Sequence, residues 1–306
     1  MWGITKMINF KKIELIDKEW MDPLIGAADM SGCHQNFTNI FAWSEIYNHR
    51  VAQVNDFLVV KVGINNEEQQ YFYPAGSGDI KNIFETMKQD ATECGHEFVL
   101  CGVSPENIEV IDSLYPGKFE YQETRDGSDY VYLLDELETL GGKKFQAKRN
   151  HINRFKESNN WKFELITLEN LAECWEMNKE WCIIHGCNED SELFKEKCAV
   201  RRCFENYTVL GLEGGLIRID GRIIAFTMGE KLNSDTYDTH IEKAFSDIRG
   251  GYQMINREFA AYIKENHPEI IYVNREEDMG YEGLRKAKLS YHPTKMDEKY
   301  LAKYIG

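Results

Sequence analysis

Between Leu210 and Leu232 two apolar runs, LGLEGGLIRI and RIIAFTMGEKL, flank a single Asp220-Gly221 pair. An Asp-Gly pair supplies the two residues of a tight turn, so the segment predicts an antiparallel hairpin. TYDTHIEKAF (236–245) reads as the next strand. Arg249-Gly250-Gly251 then introduces a helical stretch from Tyr252 to Glu265, which Asn266-His267-Pro268 ends. EIIYVNRE (269–276) follows as a strand and Gly283–Leu289 as a short helix. Ahead of the hairpin stand a strand at FELIT (163–167) and helices over Leu168–Ile184 and 191–206.

The first half shows a weaker version of this order. FLVVKVG and QYFYPAG are strand-like around Asn65-Asn66, Asp79–Gly95 is helical, and HEFVLCGV is a strand. Ser104-Pro105-Glu106 starts a helix, with Ser as the cap and Pro in the first turn. KFEYQETRDGSDYVYLL supplies two more strands. The pattern predicts a mixed-sheet α/β (α+β) chain of two similarly ordered domains, 1–140 and 161–306, joined by a helix over 141–160. A length of 306 residues suits two domains.

Charge narrows the partners. Fifty-one acidic against 36 basic residues give a net charge of -15, which on average repels nucleic acid and anionic lipid. The exception is KKFQAKRNHINRFK (143–156), with six Lys or Arg and no acid. No stretch approaches the roughly 18 apolar residues of a membrane span. The opening MWGITKMINFKKIELIDKEW has no apolar core of a secretory leader, so a cytoplasmic location is expected. The eight cysteines form no CxxC pair and are expected as reduced thiols. Cys182, His185 and Cys187 fit no standard zinc spacing, and no metal is expected.

Several segments resemble a known group: NFTNIFAWSEIY (36–47), YFYPAGSGD (71–79), KKFQAKRNHINRF (143–155), THIEKAF (239–245) and NREEDMGYEGLRKAKLSYHP (274–293). They are similar to the soluble C-terminal region of phosphatidylglycerol lysyltransferases and its stand-alone relatives of unknown function. The resemblance implies tandem GNAT-like folds, related to the aminoacyl-tRNA-dependent peptidoglycan transferases. It also implies transfer of an activated acyl group to an amine or hydroxyl, with aminoacyl-tRNA or acyl-CoA as the donor. In the GNAT fold a strand-to-helix turn holds a pyrophosphate on backbone N–H groups. Here that turn is Ser246–Tyr252, with Arg249, Gly250 and Gly251 at its centre. Asp247 stands where the family pattern Q/R-x-x-G-x-G/A expects a basic or amide residue. The alternative is a plain tight turn before a helix.

Three clusters carry the chemistry expected of such a protein. On the basic helix Lys144 and Lys148 share a face with His151, while Phe145, Ile152 and Phe155 lie on another. Lys144, Lys148 and Arg149 are candidates for a tRNA acceptor stem or another polyanion, against the alternative of a solvated linker. Asp238, His240 and Glu242 at i, i+2, i+4 fall on one strand face. Glu242 or His240 is the candidate proton acceptor and Asp238 a substrate contact; a charged edge strand is the alternative. Arg275, Arg285 and Lys288 are candidates to clamp phosphate or carboxylate, with Asn274 orienting a carbonyl and Tyr291 donating a proton to a leaving group. An internal ion-pair network is the alternative for that cluster. Tyr73–Asp79 has the look of an anion nest or of a simple turn.

Overall fold

In the computed structural model, residues 7–63, 69–187 and 192–306 are described. The Asn65-Asn66 turn and the first residue of the 191–206 helix lie outside them. The chain forms two compact units, one of Met1–Asp129 with Asp297–Gly306 and one of Tyr130–Met296. These boundaries differ from the expected 1–140, 141–160 and 161–306. The basic helix, Gln146–Ser158, is part of the second unit, packed on the helix Gly251–Asn266 through buried Ile152 and Phe155. The last strand, Tyr300–Tyr304, returns to the first unit.

The first unit holds a mixed sheet in the order Lys11–Lys12, Arg50–Val54, Phe57–Val62, Gln70–Phe72, Val99–Val103, Tyr300–Tyr304, Phe119–Glu123; Ala75–Gly76 also pairs with Phe57–Val62. Its one parallel contact described joins Gln70–Phe72 to Val99–Val103. The helix Ile80–Cys94 turns Ile83, Phe84, Met87 and Ala91 inward against Tyr71, Leu100 and Val103. Its N-cap is Asp79, whose carboxylate accepts the Asn82 N–H at 3.1 Å. The candidate nest at 73–79 therefore carries its own anion, an ordinary Asp cap.

The second unit has the sheet order Lys295–Asp297, Asp129–Leu133, Tyr272–Asn274, Thr236–Ala244, Arg222–Lys231, Glu213–Ile219, Trp161–Leu165. The Asp220-Gly221 hairpin forms where expected, with both turn residues at positive φ. Helix Gly251–Asn266 covers one face of the central strands, and helix Leu171–Ile184 packs on the same two strands, Arg222–Lys231 and Thr236–Ala244. The sheet opens at one place. Thr236–Ala244 pairs in parallel with Tyr272–Asn274 only through Thr236, Tyr237 and Asp238. Beyond Asp238 the neighbouring strand has ended, and the site is built in that opening.

Strand Thr236–Ala244 is bulged there. Met228 pairs with Ile241 but Gly229 pairs with Thr239, which leaves His240 as the extra residue. The bulge reverses the alternation that the sequence predicts. Glu242 shares a face with Thr239 and Tyr237 and meets helix Gly251–Asn266 through Asn256. Asp238 and His240 do not share that face, so the single-face arrangement of 238, 240 and 242 is corrected.

Candidate active site

Arg275 and Glu276 leave the end of their strand in opposite directions. Arg275 Nη2 donates to Glu242 Oε1 at 2.8 Å, and Asn256 Nδ2 donates to Glu242 Oε2 at 3.1 Å. Glu276 Oε1 lies 2.9 Å from His240 Nδ1, and Glu230 Oε1 lies 3.1 Å from His240 Nε2. Burial alone would lower the His240 pKa. The charges of Asp238, Glu230 and Glu276 outweigh it and hold the ring well above the ordinary histidine value. His240 is thus an imidazolium bridge whose two N–H groups are both engaged, rather than a proton acceptor. Ligand-type atoms of Asp238, His240 and Glu276 lie within 4.8 Å of one another, but the ring nitrogens a metal would need are bonded to carboxylates.

The other expected residues hold the loop in place. Arg285 grips Asp278 bidentately, Nε to Oδ2 and Nη2 to Oδ1, both at 2.9 Å. Tyr130 Oη donates to the same carboxylate at 2.5 Å and the Gly280 N–H at 2.9 Å. Burial would raise the Asp278 pKa, yet these donors hold it far below the usual carboxylate range. Lys288, buried, donates to the carbonyl of Arg275 at 2.6 Å and to that of Glu277. Asn274 Oδ1 accepts the Glu276 N–H at 2.7 Å. Asn274, Arg285 and Lys288 therefore aim Arg275 and Glu276.

Around Glu242 the side chains are buried but incompletely engaged. Arg275 Nη1, Asn256 Oδ1 and Tyr291 Oη are buried and have no hydrogen-bond partner among the described residues. The Arg275 guanidinium lies 4.8 Å from the Tyr291 ring centre and 5.6 Å from that of Tyr132. Burial pushes the Tyr291 phenol well above its ordinary pKa. Lys148 completes the group, with its ammonium 3.8 Å from the Tyr291 ring centre and 2.6 Å from Ser290 Oγ. Burial, then the charge of Arg275, bring the Lys148 pKa down to about 8, with Glu242 opposing.

Lys148 therefore points into the protein. Of its two companions, Lys144 pairs with Glu136 at 2.7 Å, and Arg149 donates to the carbonyls of Leu140 and Gly142. Lys143, in the short turn Lys143–Phe145 ahead of the helix, and His151 and Arg154 on the helix are exposed. The turn at Arg249–Gly251 leads into its helix with Gly250 at φ 92° and no side-chain cap. A β-carbon at Gly250 would lie 2.9 Å from the His151 carbonyl oxygen, so the basic helix packs directly over this turn. Asn256, Tyr132 and Ser290 carried no signal in the sequence. Asn256 reaches Glu242 from the helix Gly251–Asn266, Tyr132 meets Arg275 from the strand Asp129–Leu133, and Ser290 holds Lys148, all through tertiary packing.

A family model described as phosphatidylglycerol lysyltransferase, C-terminal, matches residues 27–303. The chain belongs to this family. A conserved protein of unknown function from Bacteroides thetaiotaomicron is 40% identical over 97% of this chain and 100% of its own, with a TM-score of 0.92. The C-terminal domain of a putative lysylphosphatidylglycerol synthetase from Agrobacterium fabrum shares the fold, at 16% identity, a TM-score of 0.68 and coverage of 95% and 92%. An uncharacterized protein of Mycoplasmoides gallisepticum is 26% identical over 191 residues, 58% of this chain. The chain spans 56% of that relative's length. The fold is the tandem GNAT-like one, also shared by FemX at a TM-score of 0.62 and 10% identity, over 98% and 96% of the two chains. No helix of the described residues is long and apolar enough to cross a membrane.

Proposed function

We propose that this family member is an aminoacyltransferase that takes the activated ester of an aminoacyl-tRNA and passes it to an amine or hydroxyl acceptor. The observation that carries the reading is the buried group around Glu242, where a guanidinium N–H, a phenol and an amide oxygen have no hydrogen-bond partner among the described residues. In ester transfer the nucleophile attacks the carbonyl carbon and loses a proton, while the ribose oxygen leaves and gains one. Arg275 is placed to stabilise the developing oxyanion, held in aim by Glu242. Lys148, with a pKa of about 8, takes the nucleophile's proton in its neutral form. Tyr291 gives a proton to the leaving oxygen. Because the ester is already activated, positioning and proton relay are enough.

Two features favour this donor over acyl-CoA. The turn that would hold a pyrophosphate carries Asp247 and is packed under the basic helix. The exposed side chains of that helix and the turn before it, Lys143, His151 and Arg154, offer a polyanion surface. The test has two arms, fluorescence anisotropy with total tRNA at low and high salt, and single-turnover release of radiolabelled amino acid from charged tRNA to soluble amines. Binding that weakens steeply with salt, and transfer lost in Arg275→Ala, support the proposal. No binding at low salt, with heat released on titrating acetyl-CoA, would replace it with acyl-CoA chemistry.

A further inference from the structure

The first unit carries a cluster of metal-ligand type that is separate from the site around Glu242. Asp90 and Cys94 stand four residues apart on the last turns of the helix Ile80–Cys94, so they share a face. Gly95 follows in the left-handed conformation, φ 76°, and folds the chain back so that His96 joins them. A carboxylate oxygen of Asp90, Sγ of Cys94 and a ring nitrogen of His96 all lie within 4.8 Å of one another. Zinc holds sulfur at about 2.3 Å and nitrogen at about 2.0 Å, so a rotation of the exposed Cys94 closes the remaining gap.

The histidine is set up as a ligand. His96 Nδ1 lies 2.9 Å from the Glu97 carbonyl oxygen, which can only accept. Nδ1 therefore carries the hydrogen, and the lone pair is on Nε2. A backbone carbonyl on the far nitrogen is the usual support of a metal-bound imidazole. Tyr71 Oη is 3.4 Å from Nε2, but its one proton goes to Asp90 Oδ2 at 2.6 Å. The same phenol lies between the carboxylate and the ring and holds the oxygen that Lys61 also holds. Here the contrast with His240, whose nitrogens both face carboxylates, is direct. His96 also lines an open cavity of about 630 Å³ with Lys88, Thr92 and Lys303, and Cys94 is exposed to solvent.

We propose that Asp90, Cys94 and His96 bind a divalent, thiol-preferring transition metal, zinc above all, with a fourth position left to solvent. One thiolate, one imidazole and one carboxylate make a donor set suited to zinc or cobalt rather than to magnesium or calcium. Cys94 gives up its proton to solvent as the metal binds. Lys61 opposes binding. Its ammonium sits 2.9 Å from Asp90 Oδ2 and 3.6 Å from Cys94 Sγ, where its charge repels the cation. Removing that charge should tighten the site.

The experiment is an anaerobic titration of the reduced, chelator-stripped full chain with cobalt, read by the thiolate-to-cobalt charge-transfer absorption and the visible d–d bands. One equivalent should bind with both signatures, and zinc should displace it. Cys94→Ser should lose the charge-transfer band, and His96→Ala should weaken binding at least about tenfold. Cys94 is exposed and His96 half-buried, and circular dichroism checks that the variants fold. Lys61→Met should tighten binding. No band in the wild type up to millimolar cobalt overturns the proposal, as does a band that survives in Cys94→Ser.

Discussion

At the residue scale, chemistry is decided by which polar atoms the fold leaves without protein partners. Tyr291→Phe removes a hydroxyl that has none among the described residues. The thermal midpoint should hold or rise slightly, since no bond is lost. Single-turnover transfer should drop about a hundredfold or more, as for loss of a positioned acid. Equal transfer in the variant would remove Tyr291 from the mechanism. Lys148 makes a second forecast. Its neutral form is the active one, so the rate should climb as pH rises through about 8, and Lys148→Met should flatten that limb. Histidines give the third. Burial is the main force pushing His34 down to about 3 and His49 to about 4. Both are neutral when folded and bind protons when unfolded, so their stabilisation is complete above the unfolded pKa and is lost as pH falls. Unfolding free energies from urea titrations should fall below pH 6.5, with a slope that approaches about 1.4 kcal/mol per pH unit for each histidine near pH 5. His240, raised, has the opposite sign: its contribution is full below the unfolded pKa and declines as pH climbs through the folded one. A flat profile on the acid side would refute the histidine account.

At the element scale, the site depends on a bulge and a close backbone approach. Gly229 stands where the register shifts, and a β-carbon there would lie 1.9 Å from the Asp238 carbonyl oxygen. Gly229→Ala should force the two central strands apart and cost about 3 kcal/mol or more. Gly250→Ala meets the His151 carbonyl at 2.9 Å and also needs an unfavourable φ of 92°. It should cost about 1–3 kcal/mol and loosen the basic helix that carries Lys148. Chemical denaturation of both variants checks the order of the two costs. The Asp220-Gly221 hairpin was legible in the sequence because a two-residue turn is a local decision. The bulge at His240 was not, because it is a property of two strands paired together. TYDTHIEKAF alone shows perfect alternation, and so places Glu242 on the wrong face.

At the scale of the whole chain, the C-terminal strand decides where the first unit ends. Tyr300–Tyr304 lies between Val99–Val103 and Phe119–Glu123, antiparallel to both. Truncation after Met296 should therefore expose two strand edges within that unit's sheet. The truncated protein should aggregate or bind a hydrophobic dye at temperatures where the full chain does neither. Unchanged solubility and melting would show the strand to be dispensable. The short distances along the chain were readable: helix starts at Ser104-Pro105, the amphipathic helix of Ile152 and Phe155, and the order of strands and helices. KFEYQETRDGSDYVYLL shows the boundary of that reading. Its two strands look like neighbours, yet Phe119–Glu123 and Asp129–Leu133 belong to different sheets.

By itself the sequence determined the family, through long motifs such as NREEDMGYEGLRKAKLSYHP, and the mixed α/β element order, because periodicity and turn chemistry act over a few residues. It also offered Glu242, Arg275 and Tyr291 as candidates for the chemistry. What only the tertiary structure decided is the division of labour among the charged residues. Arg285, Lys288 and Asn274 hold a loop, His240 bridges two glutamates, and Lys148 turns inward to join the site. A charged side chain's role depends on its partners and its burial. Those are set by which distant strands and helices pack beside it, a matter on which its neighbours in sequence are silent.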